Sequence, residues 1–251
     1  MSWQLRFLGV GNAQAAPVLG SASAVLECDG APQLLIDCGQ ETLDAYLARY
    51  GGLPQAVFIT HLHMDHIGGL ERLFFLAYFD PALRGRLRLY VPAPLVPAMQ
   101  GRLADYPGVL AEGGANWWDA FQLVPVSTGF WHAGLRYEVF PVRHHLPDSA
   151  FGLRLPGSFV WTGDTRPIPE RLKLYAGGPE LIAHDCGLHG NPSHTGLDDI
   201  LREYPAEWRA SLVLYHYAAA EDAEAMRGHG FRVAERGQAL ALAAPDPEPL
   251  P

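Results

Sequence analysis

The sequence predicts an α/β sandwich: two sheets packed face to face, with helices outside them. Three observations carry this. Each half of the chain runs several short apolar strands before turning to strand–helix alternation, which differs from a continuous βαβ winding. The 251 residues are 49% hydrophobic and 18% charged, the balance of a packed globular core. No apolar run reaches the roughly 18–20 residues of a membrane span. Other α/β architectures share this order of elements, so the pattern settles the class and leaves the layering open.

Taken in order, alternating apolar residues predict strands over 4–8, 22–28 and 33–36, then an amphipathic helix over 41–50. A strand over 56–60 precedes a helix over 69–78, a strand over 87–91 and a proline-opened helix over 95–103. Residues 105–116 are glycine-rich and irregular. Strands resume over 121–126, 136–142, 152–155 and 158–162. A helix over 169–175, a strand over 180–183, a helix over 197–203, a strand over 211–215, a helix over 221–229 and a strand over 231–234 follow. Residues 1–243 form one domain, and the proline-rich residues 244–251 are expected to be a disordered tail.

Residues 1–7 lack the long apolar stretch of a secretory signal and read as an amphipathic strand, so the expected location is cytoplasmic. The net charge is −9 and Lys173 is the only lysine, which argues against a broad polyanion-binding surface. Arg84, Arg86 and Arg88 would share one face of an extended segment, solvated or in contact with an anion. Cys28, Cys38 and Cys186 are odd in number and lack CxxC spacing, so buried thiols are expected rather than disulfides.

The chemistry concentrates in Thr60-His61-Leu62-His63-Met64-Asp65-His66-Ile67-Gly68-Gly69, directly after an apolar strand. Two apart on extended backbone, His61 and His63 point to one side. Asp65 and His66 follow where Gly68 and Gly69 allow close backbone approach. Four ligand-type side chains within six residues are costly to desolvate unless something binds them, and imidazole with carboxylate suits zinc and similar divalent ions. Further apolar strands run into His144-His145, Asp164, His184-Asp185 and His216. Strand ends gathered at one edge of a sandwich would bring these groups to a single cleft.

The His61/His63/Asp65/His66 run resembles the HxHxDH signature of the metallo-β-lactamase superfamily. Phe7-Leu8-Gly9-Val10-Gly11, Leu35-Ile36-Asp37-Cys38-Gly39, Thr162-Gly163-Asp164-Thr165 and Tyr215-His216 extend the likeness over nearly the whole chain. It implies a four-layer αβ/βα sandwich, the metallo-β-lactamase fold, with two divalent metal ions. Zinc is the expected ion, and iron or manganese also suits the ligands. By match to the motif, His61, His63 and His144 would hold one ion; Asp65, His66 and His216 the other; Asp164 would bridge. His145 is the alternative to His144.

Within the superfamily, His184-Asp185-Cys186 followed by Ser193-His194-Thr195 resembles the tRNase Z-like phosphodiesterase branch, with aspartate in place of its glutamate. That branch's roles make His194 the proton donor to the leaving group and Asp185 its orienting carboxylate, with Asp65 also in the catalytic set. A helix cap formed by Thr195 and Asp198 is the structural alternative for this segment. The chain lacks a convincing tRNA-clasping arm and carries little positive charge, so tRNA binding is not expected; a small-molecule substrate is, with no membrane and with a homodimer compatible. β-Lactam hydrolysis does not fit, because families devoted to it generally lack the bridging aspartate.

The implied function is a dinuclear-metal-dependent hydrolase, a phosphodiesterase in which a metal-bridging hydroxide attacks a small or nucleotide-like phosphodiester. The alternatives are a lactone, ester or thioester hydrolase, with Trp117, Trp118, Phe121, Phe130 and Trp131 as an apolar substrate wall, and a diiron redox or ligand-binding protein. His132, His189 and His229 read as surface or loop histidines. Asp37 reads as a brace for the ligand loop, and Cys186 as a buried thiol rather than a nucleophile.

Overall fold

A computed structural model describes residues 1–104, 110–111, 113–175 and 178–246. The first sheet holds β1 (Trp3–Gly9), β2 (Ser23–Cys28), β3 (Ala31–Ile36), β4 (Ala56–Phe58), β5 (Leu87–Pro92), β6 (Phe121–Val126) and the returning β14 (Ala239–Leu242), in the order β14-β1-β2-β3-β4-β5-β6. The second holds β7 (Gly129–His132), β8 (Leu135–Pro141), β9 (Phe151–Leu155), β10 (Phe159–Trp161), β11 (Leu181–Asp185), β12 (Leu212–Tyr215) and β13 (Arg232–Val233), in the order β13-β12-β11-β10-β9-β8-β7. Each sheet is antiparallel on one side and parallel on the other: β3–β6 and β10–β13 run parallel. This is the metallo-β-lactamase sandwich, with helices flanking two mixed sheets.

The helices are α1 (Ala16–Leu19), α2 (Thr42–Tyr50), α3 (Met64–Ile67), α4 (Leu70–Tyr78), α5 (Val96–Met99), α6 (Pro169–Leu172), α7 (Leu197–Glu203) and α8 (Ala220–Gly228). Aromatic side chains join the two sheets. Phe7 of β1 lies 5.7 Å from Trp161 of β10 and 6.2 Å from Tyr215 of β12, centroid to centroid. Phe130 of β7 stacks on Tyr90 of β5 at 4.1 Å. Such large, buried rings dominate core energetics. The parallel strands of both sheets run toward the same edge, so the loops after them meet there.

Two strands go beyond the sequence expectation. β7 was hidden because Gly129-Phe130-Trp131-His132 alternates for only four residues, and β14 because it lies against the proline-rich end. His132 is accordingly half-buried on β7, near the Tyr90 hydroxyl at 3.0 Å and the Gln33 carbonyl at 2.9 Å, rather than on a loop. The predicted helix over 95–103 is a single α turn passing into a π-helical stretch, Gln100–Ala104, because Pro97 restricts it to a first-turn position. Arg84 and Arg86 precede β5 instead of sharing its face; Arg84 stacks on Tyr78 at 4.0 Å.

Trp117, Phe121 and Phe130 are buried, Trp117 stacking on Phe74 at 5.1 Å, so these three are core packing and not a substrate wall, while Trp118 and Trp131 are half-buried. The Asp246 amide donates to the Pro156 carbonyl, 2.9 Å, tying residues up to 246 to the second sheet. Residues 247–251 of the expected tail and 105–109 of the irregular middle lie outside the described residues. Among the described residues no helix is long and apolar enough to cross a membrane.

Candidate metal centre

After β4 the chain stays extended through Thr60 and His61, and His63 keeps extended backbone (φ −75°, ψ 151°) up to the first turn of α3, which carries Asp65 and His66. The His61 and His63 rings come within 4.7 Å of each other. Gly39 and Gly69 are required here: a Cβ on Gly39 would strike the Asp65 carbonyl, and one on Gly69 the Gly39 carbonyl. α3 therefore rests directly on the turn after β3. His144 follows β8, Asp164 follows β10, Asp185 ends β11 and His216 follows β12. His216 adopts a left-handed backbone (φ 72°), unusual for its type, and its amide donates to the Val10 carbonyl at 2.7 Å. Such strain persists where surrounding structure over-determines it, often at functional sites.

Two groups of ligand-type side chains match the expected sets and share one carboxylate: His61, His63, His144 with Asp164, and Asp65, His66, His216 with Asp164; Asp185 and His194 make a third, overlapping group with His216 and Asp164. Asp164 Oδ1 is 3.3 Å from His66 Nε2, and Oδ2 is 3.4 Å from His216 Nε2, 3.5 Å from His61 Nε2 and 4.0 Å from His144 Nε2. Two donors each about 2.0–2.2 Å from one tetrahedral ion stand about 3.3–3.6 Å apart. Among the described residues, His61 Nε2, His66 Nε2, His216 Nε2 and Asp164 Oδ1 are buried with no hydrogen-bond partner. Such orphaned atoms are costly unless a cation receives them. The residues present fit a pair of divalent ions.

The other ring nitrogens are held by the protein. His66 Nδ1 donates to Asp37 Oδ2 at 2.8 Å. Thr60 Oγ1 donates to the same oxygen at 2.7 Å, so it accepts from His61 Nδ1 at 3.0 Å. His144 Nδ1 donates to the Ser193 carbonyl at 2.8 Å, and His216 Nδ1 lies 3.1 Å from Asp185 Oδ1 in an ion-pair contact. These bonds select the tautomer that presents Nε2 to an ion. Asp37 thus braces one histidine of each group. Asp37→Asn is expected to weaken metal retention by about 10–100-fold, measured by competition with a chelator.

The electrostatics separate the ligands. Burial, reinforced by His66, pushes His61 well below the usual imidazole range, and burial brings His144 down to about 4. Burial favours a neutral Asp164, but His216, His66 and His61 outweigh it and hold that carboxyl well below its usual range. Burial also opposes charge on His216, yet Asp164 and Asp185 push it up to about 10. The carboxylates therefore draw positive charge to this point, and an arriving cation would displace protons.

His194 Nδ1 lies 3.0 Å from Asp185 Oδ2, on the oxygen that also accepts the Thr165 amide at 2.8 Å. Burial works against its protonation, but Asp185 raises its pKa. The ring is 25% exposed and borders a cavity of about 330 Å³ together with Asp65, Asp164 and His216.

The structure brings together every ligand position read from the sequence. His144, not His145, joins the first group: His145 is exposed in a left-handed conformation (φ 55°), which turns it to the rim. His184, at a strand end, instead faces the core, with Nε2 2.8 Å from the Tyr204 hydroxyl, because its neighbour Asp185 takes the inward alternation. The capping pair expected at Thr195 and Asp198 is replaced by Gly196 and Asp199: Asp199 accepts the Gly196 amide, while Thr195 Oγ1 donates to the Thr165 carbonyl at 2.7 Å. Sequence reasoning missed Asn191, whose Oδ1 accepts the Ser193 and His194 amides at 2.8 and 3.0 Å; Asn191-Pro192 is a turn signal that points to it. It also missed Arg102.

The family profile described as "Anti-Pycsar protein Apyc1" matches residues 3–240. The anti-Pycsar protein Apyc1 of Saccharibacillus brassicae is 34% identical over 226 residues, 85% of this chain and 89% of that protein. Human zinc phosphodiesterase ELAC protein 1 is 40% identical over 75 residues, 29% of this chain and 20% of that protein. The structure of human tRNase Z, short form (ELAC1), superposes with a TM-score of 0.62 at 20% identity, covering 94% of this chain and 98% of that one. The metallo-beta-lactamase fold protein YhfI from Bacillus subtilis superposes with a TM-score of 0.73 at 14% identity, covering 96% and 99%.

Proposed function

The chain belongs to the Apyc1 family of anti-Pycsar proteins, and on that premise we propose that it is a dinuclear-metal-dependent phosphodiesterase acting on a small or nucleotide-like phosphodiester. The observation that carries this is the convergence of two ligand groups on Asp164, with His194 in the same cavity and tied to Asp185. The sequence likeness to a zinc phosphodiesterase supports the electrophile.

His61, His63 and His144 would hold one ion and Asp65, His66 and His216 the other, with Asp164 between them. Bound there, two divalent cations, zinc by expectation and iron or manganese by ligand type, supply an acidified water and neutralise phosphoryl charge. Asp37, Thr60, Ser193 and Asp185 hold the ligand rings in place for this. His194, protonated and oriented through Nδ1 by Asp185, leaves Nε2 to donate a proton to the departing alkoxide. The buried floor of the cleft keeps bulk water from screening these charges.

Metal-loaded protein offered bis-p-nitrophenyl phosphate, a cyclic mononucleotide, a small lactone and a thioester is expected to hydrolyse the phosphodiesters and to stop on chelation. Turnover of the lactone or thioester alone would assign the site to acyl chemistry instead.

A further inference from the structure

One surface turn, Asn191-Pro192-Ser193-His194, serves two parts of the centre. The Ser193 carbonyl accepts from His144 Nδ1 at 2.8 Å, and one residue later the His194 ring meets Asp185 Oδ2 at 3.0 Å. Proline has no amide hydrogen, so after Asn191 the turn has two backbone donors, those of Ser193 and His194. Both go to Asn191 Oδ1, at 2.8 and 3.0 Å. The Asn191 amide closes the turn on the His194 carbonyl at 3.1 Å. Asparagine commonly builds turns by bonding its own backbone a few residues on. Here one side-chain atom takes both of the donors that follow it.

Beyond the turn the chain is anchored independently. Thr195 is buried, and its amide and Oγ1 both donate to the Thr165 carbonyl, at 2.8 and 2.7 Å. Thr165 follows Asp164, and its own amide donates to Asp185 Oδ2, the oxygen that meets His194. The far end of the turn is therefore fixed, and the shape of the rest depends on Asn191. Asn191 is exposed, while Ser193 and His194 are half-buried. Truncating Asn191 thus empties no core position and leaves the fold intact, yet it releases the backbone that carries the Ser193 carbonyl and the His194 ring.

We propose that Asn191 is a positioning residue that couples metal holding to proton donation: through Oδ1 it sets both the Ser193 carbonyl that orients His144 and the backbone that carries the His194 ring. The carbonyl and the ring belong to adjacent residues, so a change in the turn displaces both together. The His144 and His194 rings lie 4.9 Å apart, centroid to centroid, so such a change acts on both at close range. With Oδ1 committed to two amides, Nδ2 is the side-chain group that Asn191 has left for a ligand. Asn191 borders the same two cavities as His194, so direct contact with substrate through Nδ2 is the rival role. The part of the proposal that concerns His194 rests on the phosphodiesterase reading; the part that concerns His144 rests on the ligand set alone.

Three variants separate the two roles. Asn191→Ala removes both ends of the amide, Asn191→Asp keeps the acceptor and removes the Nδ2 donor, and Asn191→Ser supplies an acceptor without aspartate's charge. Two quantities are read in the zinc-loaded chain. One is the ratio of kcat/KM for a cyclic mononucleotide, whose leaving group is a sugar alkoxide, to that for bis-p-nitrophenyl phosphate. The other is zinc retention against a chelator. Asn191→Ala is expected to lower the ratio at least about tenfold, a part of the roughly 10²–10⁴-fold that general-acid assistance contributes. It is expected to weaken zinc retention about tenfold, the low end for losing the outer partner of a ligand histidine. Asn191→Asp and Asn191→Ser are expected to recover most of both losses. An unchanged ratio or unchanged retention in Asn191→Ala overturns the coupling. Equal losses on both substrates that persist in Asn191→Asp assign Asn191 to substrate contact through Nδ2 and overturn it as well. Hydrolysis of neither substrate by the wild type would overturn the phosphodiesterase reading. Zinc retention, with the imidazole N–H signals of His144 and His194 in NMR spectra of the histidine-labelled chain, still decides the positioning role: signals lost in Asn191→Ala and restored in Asn191→Asp support it, and signals unchanged in Asn191→Ala overturn it.

Discussion

Asp164→Asn is expected to lower turnover by at least about 10³-fold while the chain stays folded, because metals typically supply several kcal/mol of transition-state charge stabilisation and each 1.36 kcal/mol is tenfold. Asp164 is the residue common to both ligand groups, with its two oxygens aimed at different histidines. Asparagine keeps the volume but removes the charge and one of the two acceptor oxygens. The loss should appear in kcat, with metal content falling below that of the wild type. Circular dichroism checks that the fold survives, which the core joined through Phe7, Trp161 and Tyr215 should ensure. Wild-type turnover in a correctly folded Asp164→Asn chain would remove the shared carboxylate from the chemistry.

His194→Ala should discriminate between leaving groups. General-acid assistance contributes about 10²–10⁴-fold, so an alkoxide such as a sugar hydroxyl should lose that much. p-Nitrophenolate leaves without a proton, and its loss should stay under about fivefold. Asp185→Asn acts more widely, because one carboxylate serves both His194 and His216. It should reproduce the leaving-group pattern and also weaken metal retention. Equal losses on both leaving groups in His194→Ala would make His194 a binding residue rather than an acid.

Much of this site is legible in the sequence. His61, His63, Asp65 and His66 lie within one short segment, and extended backbone obliges alternate side chains to share a side. His144, Asp164 and His216 are legible because each follows an apolar strand in a segment that resembles a family motif. What stays hidden depends on three-dimensional direction. The alternation that sends Asp185 inward sends His184 into the core, and sequence order alone does not say which parity applies. The choice between His144 and His145 turns on a left-handed residue in the turn. Thr60 looks like an ordinary strand residue until its hydroxyl is seen to link His61 to Asp37. Arg102 lies far along the chain from the motif whose carbonyl it grips, and only tertiary structure places it there.

The fold class is equally plain and its edges are not. Strongly periodic segments such as α7 match their expected bounds. β7 and β14 escape detection because four-residue strands next to turns or prolines carry little periodic signal.

The central claim is that seven side chains from distant segments hold a pair of cations around Asp164. Protein stripped with a chelator, reloaded with zinc and desalted can be measured for metal per chain by mass spectrometry. Two retained ions per chain in the wild type, falling below two in Asp164→Asn, is the predicted result. A wild-type chain that retains none, and none of iron or manganese offered in the same way, would contradict it.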